Sequence, residues 1–177
     1  MTAELSDAEK ITNAETMRHI LTIRALLMEA VRELVNRGDA HDLSKLAPPE
    51  VDYFTKNTHT LAKLTYGSEE YKQALANMKP ALENHYAHNK HHTEHWPNGI
   101  HDMDLFDMLE MLLDWKAATL RHANGDILKS IELNAVRYGM PPALVKLIKN
   151  TLPQLDKMVA RSRVAVSYPH VPEIKHA

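Results

Sequence analysis

Only five glycines occur in 177 residues, and apolar side chains return at three- and four-residue intervals. Strict alternation, the mark of a half-buried strand, is missing, so the chain reads as all-α. No internal repeat, low-complexity tract or Pro/Ser-rich linker interrupts it, which makes a single-domain helical bundle over residues 1–160 the simplest expectation. Residues 161–177, with Pro169 and Pro172, read as an irregular C-terminal tail. The first helix is expected from about Ala8 to Arg37, stopped by Gly38. Pro48-Pro49 opens a second through about Leu64, and Ser68 caps a third to about Met78. Pro80 opens a fourth, which carries ALENHYAHNKHH and stops near Trp96-Pro97. A fifth runs from about Asp104 to His122, and two more lie near 126–138 and 141–160.

Charge and composition exclude several functions. Lys and Arg number 21 against 23 Asp and Glu, for a net charge of −2. No basic surplus exists for bulk nucleic-acid binding. The absence of Cys removes disulfides, thiolate zinc sites, iron–sulfur clusters and Cys nucleophiles. The opening MTAELSDAEK is polar and acidic, unlike a signal peptide. No apolar run approaches the roughly 20 residues of a membrane span. A cytoplasmic protein without membrane association is expected, and a homo-oligomer is left open. Any metal chemistry must use His, Asp and Glu. The 12 histidines are in excess, and six of them fall between His85 and His101.

Three groups of residues can carry chemistry. His19 lies about 60° from the centre of the stripe Ile20, Ile23, Leu27, Ala30 and Leu34, hence toward a core edge. The His41-Asp42 pair follows in a loop, where Asp also serves ordinary turns. The second group is the histidine run. If the fourth helix continues through it, His85, His88 and His92 share one stripe at i, i+3, i+7, with His91 outside it at about −120°. Such imidazoles can ligate a metal or meet phosphate oxygens; the alternative is a solvated face, consistent with Asn84, Asn89 and Lys90. The third is the fifth helix. Asp107, Glu110 and Asp114 share one face there, and Leu105, Leu109, Leu112, Leu113 and Leu120 occupy the opposite one, expected to be the core. Carboxylates in line repel by a few tenths of a kcal/mol per pair, which a bound cation would relieve.

Together these residues resemble the HD superfamily of metal-dependent phosphohydrolases. HDLSKL resembles the superfamily's His-Asp context, and EMLLDWKAA the region of its last Asp. YGSEEY, HNKHHTEHWPNGI and EMLLDWKAATLRH more closely resemble a family of small uncharacterised bacterial and phage proteins of HD type. The likeness covers roughly residues 17–138. It implies a helical HD-type domain with metal ligands His19, His41, Asp42 and Asp114. Glu110 and Asp107 are alternatives for the last carboxylate, Glu110 otherwise orienting a ligand His, and His85 and His91 are alternative or supporting groups.

A set of two imidazoles and two carboxylates suits a divalent transition metal such as Mn, Fe, Co, Ni or Zn. The resemblance implies hydrolysis of a nucleotide or another small phosphate ester. Glu50, eight places after the HD Asp, stands where the deoxynucleotidase branch activates water. Lys45 stands where that branch has an acidic residue. Lys45, His88 and His92 are expected to hold phosphate charge or protonate the leaving oxygen. Two further readings are an HD-type di-iron oxygenase with added His ligands and a non-enzymatic, metal-stabilised helical binding protein.

Overall fold

The computed structural model describes residues 5–61, 64, 68–120 and 125–162, and among them every regular element is helical. Contacts divide the chain into two compact units, Met1–Leu43 and Ser44–Ala177.

The first unit is one helix, α1, Asp7–Ala40. Ser6 caps it reciprocally. Its hydroxyl accepts the Glu9 amide, and the Glu9 carboxylate accepts the Ser6 amide at 2.7 Å. The Ser6 side chain and backbone hold the Glu9 carboxyl below its ordinary range. Ion pairs one turn apart, Arg32 with Glu29 and Arg37 with Glu33, line the surface. Gly38 does not stop the helix, which runs on to Ala40. A Cβ at Gly38 would meet nothing within 4 Å, so no close approach requires a glycine there. The chain reverses instead at Asp42, whose φ of 59° lies in the left-handed region that Asp tolerates. One helix alone cannot bury its stripe. Ile20, Ile23 and Leu27 are exposed, and α1 has no buried residue. His19 is exposed on the same helix, not set at a core edge as its wheel position suggested.

The second unit begins in a 3-10 turn, Leu43–Leu46, and continues with α2, Glu50–Leu61. α2 starts after the Pro48-Pro49 pair, and its expected end near Leu64 falls partly outside the described residues. α3, Glu69–Asn77, is capped by Ser68, whose hydroxyl accepts the Tyr71 amide. α4, Lys79–His88, carries Pro80 in its first turn, where the missing N–H costs nothing. Two 3-10 turns follow, Thr93–His95 and Gly99–His101. α5 spans Leu105–Leu120, α6 spans Ile127–Arg137 under an Asp126 cap, and α7 spans Pro142–Ser162. The start of the expected tail is thus helical to Ser162; the rest lies outside the described residues, as do Arg121 and His122 of the expected fifth helix.

The core of this unit lies between α5, α6 and α7, centred on Met111, Leu112, Ile131, Ile148 and Leu155. It matches the expected facing of α5 at Leu112, with Leu109 partly buried, and departs from it elsewhere. Leu105, Leu113 and Leu120 are exposed, whereas Asp107 is buried and Glu110 and Asp114 are partly buried. A helical wheel gives the phase of a stripe but not which side the neighbours cover. Met108, Met111 and Trp115 carry the apolar contact beside the carboxylates, and Leu112 carries it from the far flank.

Candidate metal centre

The histidine run does not continue the helix. α4 ends at His88, and Asn89 adopts extended backbone with φ −121° and ψ 103°. Asn89 holds that break with its side chain. Its amide donates to the His85 carbonyl and to the Ser44 hydroxyl, each at 2.8 Å. The segment beyond is tied back to α4 and to its own start. His95 Nδ1 meets the Tyr86 carbonyl at 2.8 Å, and Trp96 Nε1 donates to the Lys90 carbonyl at 2.9 Å.

This break regroups the histidines. His88, expected on the functional stripe, is exposed and bonds the Asn84 carbonyl of its own helix. His91, expected outside it, is 2% exposed beside His85, also 2%. The His91 and His92 ring centres are 4.2 Å apart, and those of His85 and His92 are 4.6 Å apart. One nitrogen of each of His85, His91 and His92 lies within 4.8 Å of the other two, a grouping able to hold a metal ion.

Two carboxylates orient these rings. Glu50, fully buried at the start of α2, meets His85 Nδ1 at 2.9 Å and accepts the Asn84 amide at 2.8 Å. Glu110 on α5 meets His91 Nδ1 at 3.0 Å. An imidazole that donates Nδ1–H to a carboxylate carries its lone pair on Nε2, the arrangement found behind metal-ligating histidines. In His85 that Nε2 faces His92 Nε2 at 2.8 Å. Two imidazole nitrogens each about 2.0–2.1 Å from one ion stand roughly 2.9–3.4 Å apart. A small opening of the His85–His92 pair therefore accommodates a cation, and the donor set fits a transition metal.

The remaining expected residues fall in several places. His41 and Asp42 close the first unit, with His41 Nε2 3.6 Å from Asp42 Oδ2. Asp114 is partly buried one turn beyond Glu110. Asp107 accepts the Asp104 amide at 3.0 Å, while Asp104 accepts the Asp107 amide at 2.8 Å, so this carboxylate serves the start of α5. The Lys45 ammonium lies 5.5 Å from the centre of the Phe54 ring. Glu50 is enclosed by Asn84 and His85, the position of an orienting group.

Sequence reasoning missed Ser44, Asn84 and Asn89 as supporting groups and ranked His91 only as an alternative or supporting residue. Asn89 was the available signal, because Asn readily ends helices. Reading it as a stop would have taken His91 and His92 off the α4 wheel.

Among the described residues, the second unit is thus an all-helical body carrying a three-imidazole cluster, with His85 and His91 buried and His92 partly buried, backed by two carboxylates. Residues 8–159 match a family of unknown function, DUF5662, and the chain belongs to that family. No curated protein and no solved structure matches it. Among the described residues, no helix is long and apolar enough to cross a membrane.

Proposed function

We propose that the chain is a metal-dependent phosphohydrolase acting on a nucleotide or another small phosphate ester. The observation that carries this reading is the cluster of His85, His91 and His92, with two rings held by Glu50 and Glu110. Three imidazoles clustered on buried carboxylates are costly to assemble for packing alone, because buried polar groups need partners and give up apolar contact. The resemblance of HDLSKL and EMLLDWKAA to HD enzymes is the separate ground on which His41, Asp42 and Asp114 are proposed as metal ligands.

A divalent ion held there supplies Lewis acidity toward a phosphoryl oxygen and lowers the pKa of water. Glu50 and Glu110 fix the tautomers of His85 and His91, keeping each Nε2 lone pair aimed inward. Lys45, the HD-type position three places after Asp42, is proposed to offer its ammonium to the phosphate. Among Zn, Mn, Fe, Co and Ni, an imidazole-rich set favours the later members of the series.

The test is metal analysis of the purified protein, followed by a phosphate-ester screen over nucleotides with Mn, Co, Ni, Zn and Mg. Bound transition metal and hydrolysis are expected, with both lost in His85→Ala/His91→Ala and in His41→Ala/Asp42→Ala. Hydrolysis that survives in metal-free double variants overturns the proposal.

A second reading, an iron-dependent oxygenase, is favoured by one observation: the cluster holds three imidazoles where the HD ligand pattern needs two. Iron-loaded protein exposed to oxygen separates the readings. An oxygen-sensitive optical band with two irons per chain supports the oxygenase, and its absence alongside phosphate release supports the hydrolase. If chelation melts the fold and neither activity is found, the metal is structural.

A further inference from the structure

Directly after His92 the chain enters the 3-10 turn Thr93–His95, and this turn forms one side of an open cleft of about 400 Å³. Its lining includes Glu94, Trp96, Asn98, Ile100, Arg137 and Tyr138. The volume is at the lower end of small-molecule sites.

Its walls are flat and held in place. Trp96 is anchored by its indole N–H on the Lys90 carbonyl. On the α6 side the Tyr138 ring stacks nearly parallel to Trp115, 12° between planes. The Arg137 guanidinium lies over Tyr138 at 4.9 Å. Glu94 Oε1 ties this side together, accepting Arg137 Nη2 at 2.6 Å and the Tyr138 hydroxyl at 3.4 Å. Indole and a guanidinium-capped phenol are surfaces that planar heteroaromatic rings stack on. The Glu94 carboxylate is an acceptor at the edge of those surfaces, suited to ring N–H and amino groups.

We infer that this cleft receives the base of a purine nucleotide, stacked against Trp96 and the Arg137–Tyr138 pair. Glu94 accepts from the base edge, which favours guanine, whose N1–H and N2 amino group are adjacent donors, over adenine, whose amino group stands beside the N1 acceptor. Thr93, which lines the cleft, directly follows His92 of the cluster in the chain. The inference rests on the proposed phosphohydrolase only for the fate of the phosphate; base binding itself needs no metal.

The experiment titrates guanosine and adenosine, which carry no phosphate, into the full-length protein stripped of metal. Tryptophan fluorescence and calorimetry report binding. Guanosine is expected to bind more tightly than adenosine. Trp96→Leu and Arg137→Ala should each weaken it about tenfold or more, and Glu94→Gln should remove the preference for guanosine. Arg137 is exposed, so its variant keeps the test decisive if Trp96→Leu does not fold. Absence of guanosine binding, or binding indifferent to Arg137→Ala, overturns the assignment. Nucleoside binding as expected with no phosphate ester hydrolysed leaves the cleft standing and overturns the proposed activity. Hydrolysis that is blind to the base, with no nucleoside binding, does the reverse.

Discussion

Replacing Glu50 by Gln tests whether this carboxylate orients a metal-ligating imidazole. Glu50 is fully buried and receives two groups, the Asn84 amide at 2.8 Å and His85 Nδ1 at 2.9 Å. Gln offers one acceptor and one donor where Glu offers two acceptors. If the Gln oxygen stays on Asn84, its amino group faces His85 Nδ1. His85 then has two responses. Keeping Nδ1–H leaves two donors opposed, at about 1–3 kcal/mol for a buried unsatisfied group. For a chain of this length that is about 2–4 °C in Tm per kcal/mol. Moving the proton to Nε2 satisfies Nδ1 but places N–H where His92 Nε2 stands 2.8 Å away, and the lone pair for a metal is gone. Both responses lower metal affinity, by about 10–100-fold for loss of an orienting partner. Cobalt(II) titration followed by visible absorbance measures this directly, beside thermal melts of the metal-free protein. An affinity within about threefold of wild type refutes the role given to Glu50, whatever happens to Tm.

Three further outcomes are expected. His88→Ala should leave metal binding unchanged and alter stability by about 0.5 kcal/mol or less, whereas His91→Ala should abolish tight cobalt binding; the pair is read by the same titration. Ile131→Ala, at a fully buried core position, should destabilise by about 2–5 kcal/mol, read from denaturant midpoints. Gly125→Ala would place a Cβ 1.9 Å from the Thr119 carbonyl oxygen. Backbone must move, and a loss of about 1–3 kcal/mol is expected; an unchanged melting temperature would show that this close approach is not kept in solution.

Helix content was legible because few glycines and a 3.6-residue apolar period leave little else. Local punctuation was legible where a cap does the work: Ser68 before α3 and Asp126 before α6 each accept a first-turn amide. Gly38 misled because glycine permits a stop without compelling one, and the reversal came at Asp42. The facing of α5 was not legible, since its leucine and carboxylate sides are equally well ordered on the wheel. At the candidate site, helical spacing grouped His85 and His92 with His88, but α4 ends at His88, so His92 meets His85 through the break at Asn89 and not along a stripe. His91 could not be read from spacing, because its place depends on Asn89 ending α4 three residues after Tyr86. The orienting role of Glu50 needs three-dimensional contacts that no spacing encodes; Glu110 was expected to orient a ligand His, but which one its spacing does not say. His59 lies on α2 with its side chain outside the described residues, and His170 and His176 fall in the tail beyond them.

The three imidazoles stand only seven positions apart from first to last in the chain. Closing so short a loop carries a small entropic penalty, so an unfolded chain retains part of the donor set. A ligand that also binds the unfolded state stabilises less than its affinity for the native one implies. Added metal should therefore raise the denaturation midpoint less than the folded-state Kd alone requires. A synthetic peptide covering residues 84–96 should compete for the same ion. The ion can then be captured while the chain is still folding, before Glu110, far along the sequence, arrives to fix the His91 ring.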